Sequence, residues 1–296
     1  IIFCYHWDSL SSVYEIKKYP LVCFVGDPSH LPILFRKQFS FRYSKNFKIL
    51  KFLSLLFFRS ITINFHKRFM KKLLKNTLIC GAFAHHHSLD LLNLGLSNVS
   101  YLQTPVPNED YLRFRKQKTF RILLVGHLLG IATLSGIEYF IDKIYPKLVL
   151  KLGMTNFEVH IVGGFFETLP EKLKLSLSKS NIFIKGQVNP INDEINTADI
   201  FLVPTPIELG IRVRIITGFS FGSFIVAHTA NKAGIPELHH GHNCLLSDNP
   251  KGLTQNIIDV YNNEYDTFKI RSNSRQTYEQ YFTPKISTYK ILSALN

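Results

Sequence analysis

The chain has 296 residues, of which 46% are hydrophobic and 13% aromatic, and a formal net charge of +14. That length accommodates two ordinary domains, each with its own core, and that composition excludes a disordered or fibrous chain. Four cysteines with no CxxC spacing exclude a short-range disulfide framework or a zinc ribbon, and with no signal peptide read ahead of them they point to a reducing cytoplasm.

In chain order, the first half alternates apolar runs with helical patterns. "IIFCYHW" reads as a strand and "LSSVYEIKKY" as a helix. "PLVCFVGD" is a second strand, "TLICGAF" a third, "HHHSLDLLNLGL" a helix, and "NVSYLQTPVP" a fourth extended run. Between the second and third strands lies a basic insertion, residues 36–75, with twelve Lys and Arg, no Asp or Glu, and nine interleaved Phe and Tyr. Its longest uncharged run, Phe52 to Phe58, is far shorter than the ~20 apolar residues a membrane span needs. The mixture suits an anionic bilayer surface, where cations meet phosphates and aromatic rings sit at headgroup depth. Nucleic acid is a less favoured partner, and a surface whose Lys and Arg stems lie over aromatics is the plain alternative.

The polar segment "NEDYLRFRKQKT" reads as a linker and divides the chain into domains 1–118 and 119–296. Beyond it come "FRILLVG", the helical "LSGIEYFIDKIYPKLVL", "FEVHIVGG", the helical "EKLKLSLSKS", "NIFIKG", the short "INDEINTA", "DIFLVP", the helix "IRVRIITGFSFG" and "SFIVAHT". Strands that are apolar almost throughout belong to a parallel sheet covered by helices on both faces, so this half is a Rossmann-like α/β domain.

In such a sheet ligands collect beyond the carboxyl ends of the strands, where helix N-termini point free N–H groups at anions. Residues 204–214 fall at such a place: Pro204 ends a strand, Glu208 and Gly210 lie in the loop, and Arg212 and Arg214 open the next helix with Thr217 on the face of Arg214. A guanidinium forks two phosphate oxygens and stays charged, so the pair suits a diphosphate, and Glu208 can accept from sugar hydroxyls. Spacing alone equally allows Glu208 and Arg212, four apart, to form a surface ion pair.

The run "ADIFLVPTPIELGIRVRIITGFSFGSFIVAHTANKAGIPELHHGHNCLL" resembles the donor-site region of family-4 retaining glycosyltransferases, the glycosyl transferases group 1 type. "FEVHIVGG", "NIFIKGQV" and "GIEYFIDKIYPKL" match further pieces in order, so the resemblance covers most of residues 120–262. It implies the GT-B architecture, two Rossmann-like domains with parallel sheets facing across a cleft, and a final helix through "YEQYFTPKISTYKILSAL" packing back on the N-terminal domain. It also implies a nucleotide-diphosphate sugar held by Gly126, His127, Gly163, Gly164, Pro204, Gly210, Arg212, Arg214 and Thr217, with Glu208 toward the sugar. No metal or cofactor is implied, because basic side chains and a helix N-terminus neutralise the leaving diphosphate. In the first half, "PLVCFVGDPSH" and "GAFAHHHSLDLLNLGLSNVSYLQTPVPN" resemble the acceptor side, where Asp27 or His30 would orient an acceptor hydroxyl. The residue-level alternative is that both merely cap a turn.

Three departures from the family pattern stand out. Glu208 lies one position from the first of the family's paired glutamates, and Thr217 replaces the second. The loop "GHLLGIATLSG" carries His127 and no Lys or Arg, leaving the clamp to Arg212 and Arg214. The first half lacks the family's first strand and Gly-rich loop, as expected of a piece of a longer chain or a degenerate copy. "HHGHNC" at 239–244 has no second ligand pair at zinc spacing, and the adjacent histidines 85–87 diverge around a helix, so neither is read as a metal site. The expectation is a cytoplasmic hexosyltransferase, peripheral to the inner face of a membrane, that retains configuration at a glycan or lipid-linked acceptor. The rivals are a nucleotide-sugar epimerase or phosphorylase and a catalytically degenerate surface-binding protein on the same fold.

Overall fold

The computed structural model describes residues 1–16, 18–30, 49–108 and 116–295. They form two compact units: Ile1–Thr104 with Leu209–Ile211 and Ser287–Asn296, and Pro105–Glu208 with Arg212–Ile286.

The first unit holds a four-stranded sheet in the order β1 (Ile2–Tyr5), β2 (Leu21–Phe24), β3 (Ile79–Ala82), β4 (Val99–Tyr101). All three pairings are parallel. Each connection must therefore cross back over the sheet, which is the work of α1 (Trp7–Val13), α2 (Ile49–Leu74) and α3 (His85–Asn93). Within the basic window 36–75, residues 36–48 lie outside the described ones, and the remainder is α2 with the turn that follows it. The stretch read as an insertion is thus, from Ile49 on, the crossover helix that parallel pairing of β2 and β3 requires. Met70, Leu73 and Leu74 on its last turns are buried in the core of this unit. Cys4, Cys23 and Cys80 are directly in register across β1, β2 and β3, and all three are buried in that core.

The second unit is a six-stranded parallel sheet in the order β10 (Leu245–Ser247), β9 (Ile225–His228), β8 (Ile200–Val203), β5 (Phe120–Val125), β6 (Phe157–Val162), β7 (Ile182–Gly186). Chain order runs outward from β5 in both directions, so the strand order reverses between β5 and β8. In an open parallel sheet that reversal opens a crevice at the carboxyl ends of the two strands. Strands β8 and β9 are buried along their full lengths, as the apolar run "IFLV" and the run "IVA" ahead of His228 require of a central position.

The helix after β5 runs as α4 (Ile131–Tyr139), a π-helical turn (Phe140–Ile144) and α5 (Tyr145–Leu152). Pro146 has no N–H to offer the carbonyl of Asp142, and the wider turn falls directly ahead of it. Its buried face, including Ile137, Phe140, Ile144 and Leu148, packs into a core shared with β5, β6 and β8. The remaining helices of this unit are α6 (Glu171–Leu177), α7 (Asn192–Asn196), α8 (Val213–Ser220), α9 (Pro250–Tyr261) and α10 (Thr267–Tyr281). The last helix, α11 (Pro284–Leu295), clusters with the first unit from Ser287 on. Among the described residues no helix is long and apolar enough to cross a membrane.

Candidate active site

The crevice between β5 and β8 is built from three pieces of chain. After β5 the chain turns sharply at Gly126 and enters α4 through a turn closed by the Gly130 amide on the His127 carbonyl. Gly126 has a φ of +153°, and a Cβ there would lie 2.3 Å from Nη1 of Arg214 and 2.6 Å from Oγ1 of Thr133. Only a glycine leaves room for what converges on it. After β6, Gly163 comes so close to Gly126 that an added Cβ would stand 1.9 Å from the Gly126 carbonyl oxygen. Gly164 follows it in the same loop, and after β8 come Pro204 and Thr205, both buried.

Arg214, in the first turn of α8, joins these pieces. Its Nη1 donates to Thr133 Oγ1 at 2.7 Å and its Nη2 to Thr205 Oγ1 at 2.9 Å. Thr205 donates its own proton to the Ala132 carbonyl at 3.0 Å, which fixes its oxygen as an acceptor for the arginine. Asn231 braces the far side, donating to the carbonyls of His228 at 2.7 Å and Val203 at 3.3 Å and so tying the exit of β8 to that of β9. The guanidinium fills its recess: the space left among Gly126, Leu128, Thr133, Gly136 and Thr205 is about 10 Å³, room for roughly one water.

Burial, and then the neighbouring charge of Arg212, pulls the Arg214 pKa down to about 9, so it remains a cation at neutral pH. Among the described residues its hydrogen-bond partners are neutral hydroxyls, and no carboxylate pairs with it. Arg212 occupies the N-cap position of α8, with φ −96° and ψ 78°, and its buried guanidinium donates to the Ile207 carbonyl at 3.3 Å. The helix therefore opens at Val213, two residues later than its apolar spacing predicts. Two guanidinium groups at the positive end of a helix add to its dipole and make this edge of the sheet strongly favourable for an anion.

The other expected donor-side residues fall into place unevenly. His127 is exposed at the loop tip, its ring 4.8 Å from that of Phe165. Thr217 turns its hydroxyl back onto the Val213 carbonyl at 3.3 Å, within its own helix. Glu208 is exposed and makes no ion pair with Arg212 among the described residues, so the surface pair allowed by their spacing does not form. Gly210 has a φ of +64°, and a Cβ there would lie 2.8 Å from Asp27 Oδ1 within the first unit.

Residues 119–263 match the family model described as glycosyl transferases group 1. That stretch is similar to group 1 glycosyl transferases. The solved structures that resemble the whole chain agree at the level of fold. TarM superposes with a TM-score of 0.74 at 13% identity, over 99% of this chain and 54% of its own. HepE from Anabaena, in complex with UDP and glucose, superposes at 0.73 and 14%, over 99% and 77%. Sucrose-phosphate synthase from Thermosynechococcus elongatus superposes at 0.71 and 12%, over 100% and 74%. The architecture is GT-B, and the chain spans about half the length of TarM. Among curated proteins none matches.

The first unit carries its own cluster at the carboxyl ends of β2 and β3. Asp27 is half-exposed, with His87 Nδ1 3.8 Å from its Oδ1. His30 has no exposed surface and lies with Nε2 2.9 Å from Asp90 Oδ2, so it is an interior group rather than one at an open edge. His87 is buried, and desolvation, followed by the neighbouring His86, holds its pKa down to about 3, so it is neutral at physiological pH. Of the three adjacent histidines only His85 diverges, packing edge-on against Tyr101, while His87 turns toward Asp27 with the His86 ring edge-on to it at 4.3 Å, so the expected divergence of all three does not hold. Thr133 and Thr205 in the crevice, and His87 in the cluster of the first unit, are residues that the sequence alone does not single out. The only sequence signal for the threonines is their position, one just past the first β–α turn and one directly after the strand-ending Pro204.

Proposed function

We infer that the chain is a hexosyltransferase that takes a sugar from a nucleotide-diphosphate donor and passes it, with retained configuration, to a glycan or lipid-linked acceptor at a membrane surface. The observation that supports it is the enclosed Arg214 guanidinium, braced by Thr133 and Thr205 at the N-terminus of α8, inside the stretch similar to group 1 glycosyl transferases. As the bond from the anomeric carbon to the diphosphate oxygen breaks, the electron pair leaves on the diphosphate. Arg212, Arg214 and the first-turn amides of α8 stabilise that growing charge, so the reading assigns no metal to the step.

The acceptor oxygen bonds to the anomeric carbon on the face that the diphosphate leaves, its proton passes to the departing diphosphate oxygen, and the reading assigns Asp27 as the half-exposed carboxylate that orients the acceptor hydroxyl. Glu208 is assigned to a sugar hydroxyl. The HepE structures hold UDP with glucose or UDP-glucose, and a TarM structure holds UDP, which makes uridine donors the first to test. Thermal shift with UDP-, GDP- and ADP-sugars tests the reading, since a true donor raises the melting temperature by mass action. No shift with any nucleotide sugar at millimolar concentration would remove it.

A further inference from the structure

A cavity of about 1050 Å³ lies in the first unit, at the amino ends of β2 and β3. One wall is the loop from α1 to β2, with Tyr14, Ile16, Lys18 and Tyr19; the other is the turn from α2 to β3, with Lys75 and Leu78. Its size matches that of ligand pockets, which run to roughly 1,000 Å³. The mouth is apolar and aromatic, because Ile16, Tyr19 and Leu78 are 41%, 47% and 48% exposed.

The rim is cationic. Lys18 and Lys75 line the cavity, the Lys18 ammonium stands 5.5 Å from the centre of the Tyr19 ring, and exposed Lys71 and Lys72 continue the charge along the last turn of α2. Glu15 is the only carboxylate among the described lining residues. The floor is rigid: Asn98 Nδ2 donates to the Thr77 carbonyl at 2.6 Å and to the Leu74 carbonyl at 3.2 Å, pinning the turn that carries Lys75 and Leu78.

We propose that this cavity is a docking site for the headgroup of an anionic phospholipid, with Ile16, Tyr19 and Leu78 entering the bilayer interface around it. Lysines flanking exposed aliphatic and aromatic side chains are the pattern an anionic bilayer rewards twice, through its phosphates and through its acyl boundary. A nucleic acid would reward the lysines and leave Ile16 and Leu78 in water. The proposal rests on the reading of the chain as a membrane-surface transferase, and it places the contact on two loops rather than on the basic window as a whole.

Sedimentation of the full chain with vesicles tests it, comparing phosphatidylcholine alone with phosphatidylcholine containing phosphatidylglycerol. The chain is expected on the anionic vesicles and not on the neutral ones. Lys18→Gln together with Lys75→Gln should lower the partition coefficient about 25-fold, about fivefold per lysine. Leu78→Ser should lower it several-fold while leaving its salt dependence unchanged. Melting curves and calorimetric binding of UDP confirm that each variant is folded with its crevice intact. Wild-type binding by the double variant overturns the proposal and assigns the membrane contact to the rest of the basic window. No binding of the unaltered chain to anionic vesicles overturns both the proposal and the membrane reading, while UDP binding leaves the transferase reading standing. Oligonucleotide binding that is lost in the double variant, with vesicle binding unaffected by Leu78→Ser, replaces the lipid with a nucleic acid.

Discussion

Arg214 Nη1 and Thr133 Oγ1, 2.7 Å apart, join the first turn of α8 to the first turn of α4 across the point where strand order reverses. A guanidinium held this way is positioned before any ligand arrives, and positioning is what lets a single side chain count for more than its charge. Arg214→Ala should weaken UDP binding by tens of fold, corresponding to the ~1.5–3 kcal/mol of a charged hydrogen bond, with the melting temperature little changed. Arg214→Lys should recover only part of this, because an ammonium cannot span Thr133 and Thr205 together. Titration calorimetry with UDP measures both, and unchanged affinity in the alanine variant rules out the assigned role.

Gly163→Ala tests the packing that shapes the crevice. The new methyl would meet the backbone carbonyl of Gly126 at 1.9 Å, and backbone cannot step aside as a flexible side chain can. A loss of at least ~2 kcal/mol is expected in urea unfolding, at the upper end for overpacked sites. A stability equal to that of the unaltered chain would show that the two loops are not held so close.

The stability of the first unit should fall on acidification below the unfolded-state pKa of His87. Its folded pKa is about 3 against an ordinary value of 6.5, so between these two pH values the unfolded chain binds the proton that the folded chain refuses. Stability therefore rises with pH through this window and is lost as pH drops from about 6.5 toward 3, by on the order of 3 kcal/mol at pH 4. His87→Asn should flatten that part of the curve. Equilibrium unfolding between pH 4 and 7, followed for both proteins, checks it, and parallel curves would dismiss His87 as the titrating group.

Tyr278→Phe separates stability from binding. The buried phenol donates to the Val106 carbonyl at 3.1 Å, and removing it leaves that carbonyl without this donor. A cost of about 1–2 kcal/mol is expected with UDP affinity intact. A matching loss of affinity would mean that α10 communicates with the crevice.

The central strands of the second unit were legible because β8 and β9 lie between neighbours on both sides, and full burial writes an apolar run. β10 was not, since three residues at an edge carry too little pattern to stand out from the loop they end. α2 was hidden for a different reason: cations and aromatics recur around its whole circumference, so no apolar stripe marks it as a helix, and charge dominates the reading. At the site, Arg212 and Arg214 announced themselves because paired cations after a strand are rare. Thr133 and Thr205 did not, because a hydroxyl that accepts from an arginine looks the same in sequence as one that faces water. Nor does the sequence of His30 and Asp27, three apart, show that one is buried against Asp90 and the other half-exposed.

The row of Cys4, Cys23 and Cys80 gives the chain an internal clock. Burial pushes the Cys80 thiol up to about 12 and Cys23 higher still, while Cys244, alone in the second unit, is also raised to about 12. None of them reacts at an appreciable rate while its strand is closed. A maleimide pulse read by mass spectrometry would thus add three labels together when the first sheet opens and one when the second does, timing the two openings separately in the unmutated protein.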